Sequence, residues 1–318
     1  MSGNLDLPPV VALMGPTASG KTRLGIQLAQ AFGGEIISVD SGLVYRGMDI
    51  GTAKPDLAER QGVVHHLIDI LDPAEAFSTG QFRSQALALM AQIHNRGHLP
   101  LLVGGTMLYF NALFNGLAEL PAADPEVRRE IDQEAALKGW GFLHQELARI
   151  DPQAALRIHH NDPQRIQRAL EVYRIAGVPL SELCKETQTQ VPPYRFIRVI
   201  LAPSDRELLQ QRIRGRFLAM LEQGLVEEVK RLYLRGDLNE SMPSIRAVGY
   251  RQVWAHLKGE MGYAEMTERA VIATRQFAKR QYTWLRRELD AWRVASESED
   301  LFQQTFKLLN GELKGAIG

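Results

Sequence analysis

The sequence predicts an α/β protein in which a parallel sheet flanked by helices is interrupted by an all-helical insertion domain. In residues 1–116, short apolar runs alternate with longer amphipathic patterns, as expected for parallel strands joined by crossover helices. Residues 117–193 carry charged amphipathic patterns without a strand signal, and an apolar run then returns. We therefore predict a core domain from residues 1–116 and 194–318, and a helical insertion from residues 117–193.

The predicted strands of the core are short apolar runs bounded by turn or polar residues. They comprise residues 10–14, 35–39, 67–71, 99–103 and 195–202. Apolar residues at helical spacing predict crossover helices after residue 22 and over residues 82–94. The carboxyl ends of such strands should meet at one edge of the sheet, where ligands of open α/β folds bind.

Asp-Pro pairs mark helix starts in the insertion, because the carboxylate caps free backbone amides and proline lacks one. The pairs are Asp124-Pro125, Asp151-Pro152 and Asp162-Pro163. Further helix starts are predicted at Asp205 and Tyr263. The polar residues 185–193 are predicted to form the linker that returns to the core.

Composition excludes several classes of protein. Lysine plus arginine number 37 and aspartate plus glutamate number 37, so a polyanionic partner requires a local basic face. Cys184 is the single cysteine, which excludes an intrachain disulfide and favours a reducing, cytoplasmic setting.

The pairs His65-His66 and His159-His160 lack acidic or thiol partners at ligand spacing, and we interpret them as structural or surface residues. The start MSGNLDLPP does not have the pattern of a signal peptide, and no apolar run approaches membrane-spanning length, so we expect no membrane partner.

The most specific short motif is GPTASGKT, which fits the phosphate-binding pattern G-x-x-x-x-G-K-[ST] between a predicted strand and a predicted helix. Its amides and the helix N-terminus supply partial positive charge, Lys21 adds a full charge, and Thr22 can ligate Mg²⁺. The motif predicts a P-loop NTPase-like core. The predicted phosphate-binding residues are Gly15, Pro16, Thr17, Ala18, Ser19, Gly20, Lys21 and Thr22. By itself the motif does not decide whether the ligand is a nucleoside triphosphate or another compound with two linked phosphates.

Two other strand ends carry polar or unusual residues. Asp40 follows a predicted strand, and it could accept a proton from a substrate, help to hold magnesium in a kinase, or form a turn with Ser41. Gly104 and Gly105 stand where many P-loop ATPases have an acidic residue, and Thr106 follows them with a hydroxyl. The glycines permit close approach of a bulky group or form a simple tight turn.

Cationic residues recur in the C-terminal third. Arg212 and Arg216 would share a helix face and could reach phosphates, or lie in solvent. The stretch RQFAKRQYTWLRR interleaves aromatic rings with five cations, a pattern that suits single-stranded nucleic acid. An amphipathic helix with its rings toward the core explains the same pattern.

Together these stretches resemble the tRNA dimethylallyltransferases, the tRNA isopentenyltransferase family, in its bacterial form. The matching stretches are GPTASGKT, ISVDSGLVYRGMDIGTAKP, LLVGGTMLYF, NDPQRIQRALEV, SIRAVGYRQ and TRQFAKRQYTWLR. The resemblance implies transfer of a dimethylallyl group from dimethylallyl diphosphate to the exocyclic N6 amine of the adenosine immediately 3′ of the anticodon. The implied products are diphosphate and a tRNA that carries N6-isopentenyladenosine. The implied substrates are tRNAs that read codons starting with U.

The resemblance also implies roles for individual residues. Asp40 would be the general base, while Thr17, Lys21 and Arg216 would act on the diphosphate with Mg²⁺ bound through Thr22. The anticodon stem-loop of the tRNA would be the macromolecular partner of a monomeric protein. The implied tRNA contacts are Asp40, Ser41, Gly42, Leu43, Thr106, Arg128, Gln164, Arg165, Ile166, Gln167, Arg168, Arg246, Ala247, Val248, Gly249, Tyr250, Arg251, Lys279, Arg280, Gln281, Tyr282, Thr283, Trp284, Leu285 and Arg286.

Two other functions remain open on the residues alone. A small-molecule or nucleotide kinase would use the same loop, carboxylate and arginines, and would transfer phosphate from ATP. A nucleotide-gated RNA-binding module would use the loop as a switch and would leave the RNA unmodified.

Overall fold

The computed structural model describes residues 7–186 and 191–314. The predicted linker therefore lies partly outside the described residues, as does most of the start that was compared with signal peptides. The strands of the described residues are β1 (Pro9–Met14), β2 (Gly34–Val39), β3 (His65–His66), β4 (Leu99–Gly104), β5 (Arg195–Ala202) and β6 (Trp292–Ala295). The helices are α1 (Lys21–Phe32), α2 (Thr79–Asn95), α3 (Met107–Asn115), α4 (Pro125–Lys138), α5 (Trp140–Ile150), α6 (Pro152–Arg157), α7 (Pro163–Ala176), α8 (Leu180–Glu186), α9 (Arg206–Glu222), α10 (Leu225–Tyr233), α11 (Tyr250–Leu257), α12 (Tyr263–Leu285) and α13 (Leu301–Lys314).

The six strands form one sheet in the order β3-β2-β4-β1-β5-β6, and every neighbouring pair is parallel. Val10, Ala12 and Met14 of β1 pack on one face of the sheet with residues of α2 and α3. Val11 and Leu13 pack on the other face with residues of α1 and α13. Both faces are thus covered by helices, which explains why β1 is apolar throughout. The predicted parallel sheet flanked by helices is confirmed.

The predicted strand over residues 67–71 is wrong. Extended pairing with β2 is confined to His65–His66. Leu67 and Asp69 have φ angles of 60° and 56°, in the left-handed region, which interrupts an extended backbone. Leu71 instead makes a single parallel bridge with Tyr45.

The contacts divide the chain into two compact units. The first comprises Met1–Phe114 and Pro192–Gly318, and the second comprises Asn115–Val191. Within the second unit, α4 to α7 bury Ile131, Leu143 and Ile166 in a core of their own.

The helix starts that were predicted from cap chemistry are confirmed. Asp124, Asp151 and Asp162 each accept hydrogen bonds from backbone amides in the first turn of α4, α6 and α7. Asp205 caps α9 in the same way, and α12 begins at Tyr263. Among the described helices none is long and apolar enough to cross a membrane.

Candidate active site

A cavity of about 500 Å³ lies at the carboxyl edge of the sheet in the first unit. Its walls come from the phosphate loop, from the ends of β2 and β4, and from α9 and α12. The residues of the predicted site that line it are Thr17, Ala18, Lys21, Thr22, Asp40, Ser41, Gly42, Leu43, Thr106, Arg216, Arg246, Ala247, Val248, Gly249, Tyr250, Arg280 and Gln281. Residues predicted for diphosphate and for RNA therefore share one cavity.

The phosphate loop joins β1 to α1 and depends on two of its glycines. A Cβ atom at Gly15 would lie 2.1 Å from the carbonyl oxygen of Leu201, so a side chain has no room there. Gly20 precedes α1 with a φ of 86°, and no side chain caps that helix end. Ala18 also has a positive φ, of 61°, a conformation that costs energy for a residue with a side chain. The first amides of α1 thus remain available for an anion.

Lys21 and Arg216 bring two positive charges to the cavity. The Lys21 Nζ donates to the carbonyl oxygen of Pro16 at 2.6 Å. Burial lowers the pKa of Lys21 to about 7, with Asp40 opposing the shift and Arg216 adding to it. Burial also lowers the pKa of Arg216, and Asp40 opposes that shift. A bound diphosphate would favour the charged form of both side chains.

Asp40 follows the last residue of β2 and is half-buried at the cavity wall. Its Oδ1 accepts a hydrogen bond of 2.8 Å from the amide of Gly42, which fixes the carboxylate in a turn. The neighbouring Ser41 amide donates to Thr106 Oγ1 at 3.1 Å. The same carboxylate thus forms the turn expected from the sequence and lines the cavity, and its role as a base stays a prediction.

The glycine pair at the end of β4 makes room for protein groups. A Cβ atom at Gly104 would lie 2.0 Å from the carbonyl oxygen of Val39 on β2. At Gly105 it would lie 2.4 Å from Nε2 of Gln281 on α12. Close approach by neighbouring elements thus accounts for both glycines.

Sequence reasoning missed Glu228, a buried carboxylate on α10. Its Oε2 accepts from the amides of Asp49 and Ile50 at 2.9 and 2.8 Å, and its Oε1 accepts from the amide of Gly51 at 3.2 Å. Oε1 also accepts from the hydroxyl of Tyr250 at 2.6 Å. These contacts fix residues 49–51, and Gly51, Thr52 and Ala53 line the cavity.

The sequence did contain a signal for Glu228. This glutamate lies three residues after Leu225 and four before Leu232, both of which are buried on the apolar face of α10. A carboxylate on such a face needs hydrogen-bond partners. Tyr250 is also fully buried, and its hydroxyl is engaged by Glu228. The assignment of Tyr250 as an RNA contact stays a prediction.

Helix α12 is amphipathic. Lys279, Arg280 and Arg286 are exposed, whereas Tyr282 and Trp284 are half-buried and pack against the hydrophobic cores. The rings therefore lie on the core side and these three cations face solvent. Among the other implied RNA contacts of this unit, Arg251 and Thr283 are exposed and Leu285 is buried.

The implied RNA contacts of the insertion belong to the second unit, where all three of their cations are paired; Arg165 Nε lies 3.3 Å from Asp162 Oδ2. Arg128 Nε and Arg168 Nη1 donate to the fully buried Glu171 at 2.8 and 2.6 Å. Gln167 donates to Asp132 at 2.7 Å. The remaining three lie on the same helix, α7: Gln164, Arg165 and Ile166.

The predicted arginine pair is separated. Arg216 lines the cavity, and its Nη2 donates to the carbonyl oxygen of Thr52 at 3.4 Å. Arg212 is not part of the cavity wall and donates to Ser296 Oγ at 2.7 Å. The two arginines thus contact different neighbours, and of the pair it is Arg216 that lines the cavity.

The donor set at the loop fits a magnesium ion that is held mainly by a substrate. Within residues 7–186 and 191–314, no group of three or more His, Cys, Asp or Glu side chains could hold a metal. Mg²⁺ in phosphate sites usually takes one or two protein ligands and completes its shell with phosphate oxygens and water. The exposed hydroxyl of Thr22, at the cavity wall, could supply one such ligand.

The fold and the site define a phosphate-binding α/β protein of the P-loop type. The defining features are the parallel sheet, the glycine loop after its central strand and the cations at its carboxyl edge. Comparison with known proteins narrows this class. Residues 43–288 match the family model described as IPP transferase. The match begins after the phosphate loop, so it does not depend on GPTASGKT.

Relatives extend the similarity to nearly the whole chain. The chain is 61% identical over 308 residues to the tRNA dimethylallyltransferase of Methylococcus capsulatus, across 97% of this chain and 99% of that protein. A protein of the same name from Nitrosococcus oceani is 59% identical over 302 residues, across 95% and 96% of the two chains.

Solved structures agree in fold. The full-length tRNA isopentenylpyrophosphate transferase from Bacillus halodurans superposes with a TM-score of 0.72 at 37% identity, covering 97% of this chain and 98% of that one. A eukaryotic dimethylallyltransferase captured acting on tRNA gives a TM-score of 0.83 at 28% identity, covering 96% and 80%. The chain belongs to the IPP transferase family and is a prenyltransferase, which confirms the resemblance found in the sequence.

Proposed function

We propose that the protein transfers the dimethylallyl group of dimethylallyl diphosphate to tRNA. The acceptor is the exocyclic N6 amine of the adenosine immediately 3′ of the anticodon, in tRNAs that read codons starting with U. One carbon–nitrogen bond forms, the carbon–oxygen bond to the diphosphate breaks, and the amine loses a proton. The observation that carries the proposal is the single cavity lined by Lys21, Asp40 and Arg216. The names of the two relatives support the choice of substrate.

The phosphate loop binds the leaving group in this proposal. Negative charge grows on the diphosphate as the carbon–oxygen bond breaks, and preorganised donors stabilise charge that develops in a transition state. The amides at the start of α1, together with Lys21 and Arg216, supply such donors. Thr22 would hold Mg²⁺, which when bound supplies further neutralisation of the diphosphate.

Asp40 is the general base. The adenine amine is a poor nucleophile because its lone pair is delocalised into the ring, so removal of a proton as the new bond forms assists the attack. The turn with Gly42 holds the Asp40 carboxylate at the cavity wall and leaves its second oxygen out of that hydrogen bond. That oxygen is the one assigned to the proton.

The target base must leave its stack to reach the cavity, which costs a few kcal/mol. Contacts to the RNA backbone offset that cost when cations lie beside the opening. Arg280 lines the cavity, Lys279 is exposed on the same helix, and Arg286 is exposed directly after its last residue. These three cations are therefore the first candidates for contacts to the anticodon loop.

The proposal is tested by weighing the RNA. The folded protein is incubated with Mg²⁺, dimethylallyl diphosphate and an unmodified anticodon stem-loop, and the RNA is analysed by mass spectrometry. A gain of one C5H8 unit is expected, and an unchanged mass would refute prenyl transfer. Two further measurements separate the alternatives. Transfer of label from ATP to an acceptor indicates a kinase. RNA binding that changes with nucleotide and leaves the RNA unmodified indicates a nucleotide-gated binding module.

A further inference from the structure

Gln281 joins α12 to two segments around the phosphate loop. Its Oε1 accepts a hydrogen bond of 2.9 Å from the amide of Thr17, and its Nε2 donates at 2.8 Å to the carbonyl oxygen of Gly105. The residue is only 5% exposed. Both ends of the side-chain amide are thus engaged inside the protein.

The chemistry of this bridge suits glutamine. A neutral amide offers an acceptor and a donor on one rigid plane, so it can satisfy a backbone N–H and a backbone C=O together. Thr17 is in the middle of GPTASGKT, and Gly105 follows the end of β4. A side chain at Gly105 would collide with the Gln281 amide. The Gln281 side chain is therefore tightly packed against the backbone groups of Thr17 and Gly105.

The helix that carries this bridge also carries the exposed cations. Lys279 and Arg280 immediately precede Gln281, and Arg286 begins the turn after the helix. Two exposed cations and the buried Gln281 amide thus lie on one turn of α12. A ligand bound to these cations that shifts this turn therefore also shifts the amide that holds Thr17.

We propose that Gln281 is a positioning residue that sets the shape of the phosphate loop and couples diphosphate binding to RNA binding on α12. The coupling rests on the proposed function, since it takes RNA as the ligand of the cationic face. RNA that favours the position of α12 in which Gln281 holds Thr17 favours diphosphate binding, and diphosphate strengthens RNA binding by the same factor.

The test measures binding without catalysis. Calorimetry gives the affinity of inorganic diphosphate with Mg²⁺, in the absence and presence of an anticodon stem-loop, for the wild type and for Gln281→Met. The variant removes both hydrogen bonds and keeps the length of the side chain. We expect diphosphate affinity to fall about tenfold, as for the loss of a buried hydrogen-bond partner. We expect RNA affinity without diphosphate to stay the same, and the increase caused by RNA to disappear.

A second variant and a matched control sharpen the result. Gln281→Glu keeps an acceptor for Thr17 but directs an anionic oxygen at the Gly105 carbonyl, so it should weaken diphosphate binding at least as much. Gln276→Met changes an exposed glutamine of the same helix and should leave both affinities unchanged. Thermal unfolding of each variant verifies that the protein is folded.

Three outcomes would overturn the inference. Wild-type diphosphate affinity in either Gln281 variant would show that the amide does not position the loop. Loss of RNA affinity in the absence of diphosphate would make Gln281 an RNA contact. Persistence of the increase caused by RNA in Gln281→Met would exclude the coupling. A protein that fails to transfer a prenyl group but shows the expected diphosphate loss would refute the proposed function and retain Gln281 as the positioning residue of the loop.

Discussion

The hydroxyl of Tyr250 donates a 2.6 Å hydrogen bond to the buried carboxylate of Glu228. The same carboxylate accepts from three consecutive backbone amides that precede Thr52, whose carbonyl oxygen accepts from Arg216. Glu228 thus supports the position of Arg216, the cation proposed to bind diphosphate, without contacting a substrate itself.

Replacing Glu228 by glutamine should destabilise the protein and lower activity. The amide nitrogen would face backbone N–H donors and leave at least one of them unpaired, at a cost of about 1–3 kcal/mol. Tyr250→Phe removes one bond and should cost about 1 kcal/mol. Urea unfolding measures both values, and Glu227→Gln, at an exposed position of the same helix, is the control. A Glu228→Gln protein as stable as the wild type would contradict the described network.

Asp40→Asn should slow the chemical step by roughly 10²–10⁴-fold, the usual contribution of a general base. Asparagine can still accept from the Gly42 amide, so the turn is retained. Binding of donor and RNA should therefore remain close to that of the wild type. Single-turnover prenyl transfer at saturating enzyme measures the effect. An unchanged rate would remove Asp40 from the role of base.

Acid should selectively remove the stabilising effect of Glu35. Hydrogen bonds from Arg96, assisted by His66 and His98 and opposed by burial, lower the pKa of Glu35 to about 2 from a usual value of 4.5. The unfolded chain thus binds more protons between these values, so the stabilisation is complete above pH 4.5 and is lost as pH falls through 2. Glu35→Gln should lower the free energy of unfolding at pH 7 by about 3 kcal/mol.

Urea titrations of both proteins between pH 7 and pH 2 measure this effect. The difference between wild type and Glu35→Gln should shrink across the acidic window. A difference that is the same at every pH would show that the carboxylate charge does not contribute. His66 is bonded to Glu35 and His65 to the carbonyl oxygen of Val63, which fits the structural role expected of this histidine pair.

Lys279→Ala should weaken RNA binding in a salt-dependent way. Each phosphate contact contributes about one unit to the slope of log affinity against log salt, so the slope should decrease by roughly one. Lys230→Ala, at an exposed position on α10, is a matched control that should keep the wild-type slope. Filter binding of the anticodon stem-loop at several salt concentrations provides the slopes. Equal slopes for Lys279→Ala and wild type would place Lys279 outside the RNA interface.

The sequence predicted those parts of the fold that depend on local chemistry. The apolar run of β1 and the glycine loop after it are contiguous, and the cap at Asp151 acts on an amide three residues away. The strand over residues 67–71 could not be excluded, because a positive φ angle is unexpected for a leucine such as Leu67, and a single aspartate, Asp69, is only weakly indicative of one.

The parts of the site that escaped prediction depend on distant partners. Gln281 meets Thr17 across 264 positions of the chain, and Glu228 meets Asp49 across 179. No local pattern reports such pairs. The family resemblance places Gln281 among the RNA contacts with its neighbours, whereas the structure engages its amide inside the protein. Strand β6 was missed for a different reason, since only one of its four residues is buried.

The central claim is that the N6 amine of one adenosine receives the prenyl group. Two anticodon stem-loops can be compared that differ only at the residue immediately 3′ of the anticodon, with adenosine in one and the purine nucleoside without the exocyclic amine in the other. After incubation with protein, Mg²⁺ and dimethylallyl diphosphate, the mass of each RNA is measured. The account predicts a gain of one C5H8 unit in the adenosine RNA and no change in the other. A gain in the RNA without the amine, or no gain in the adenosine RNA, would contradict it.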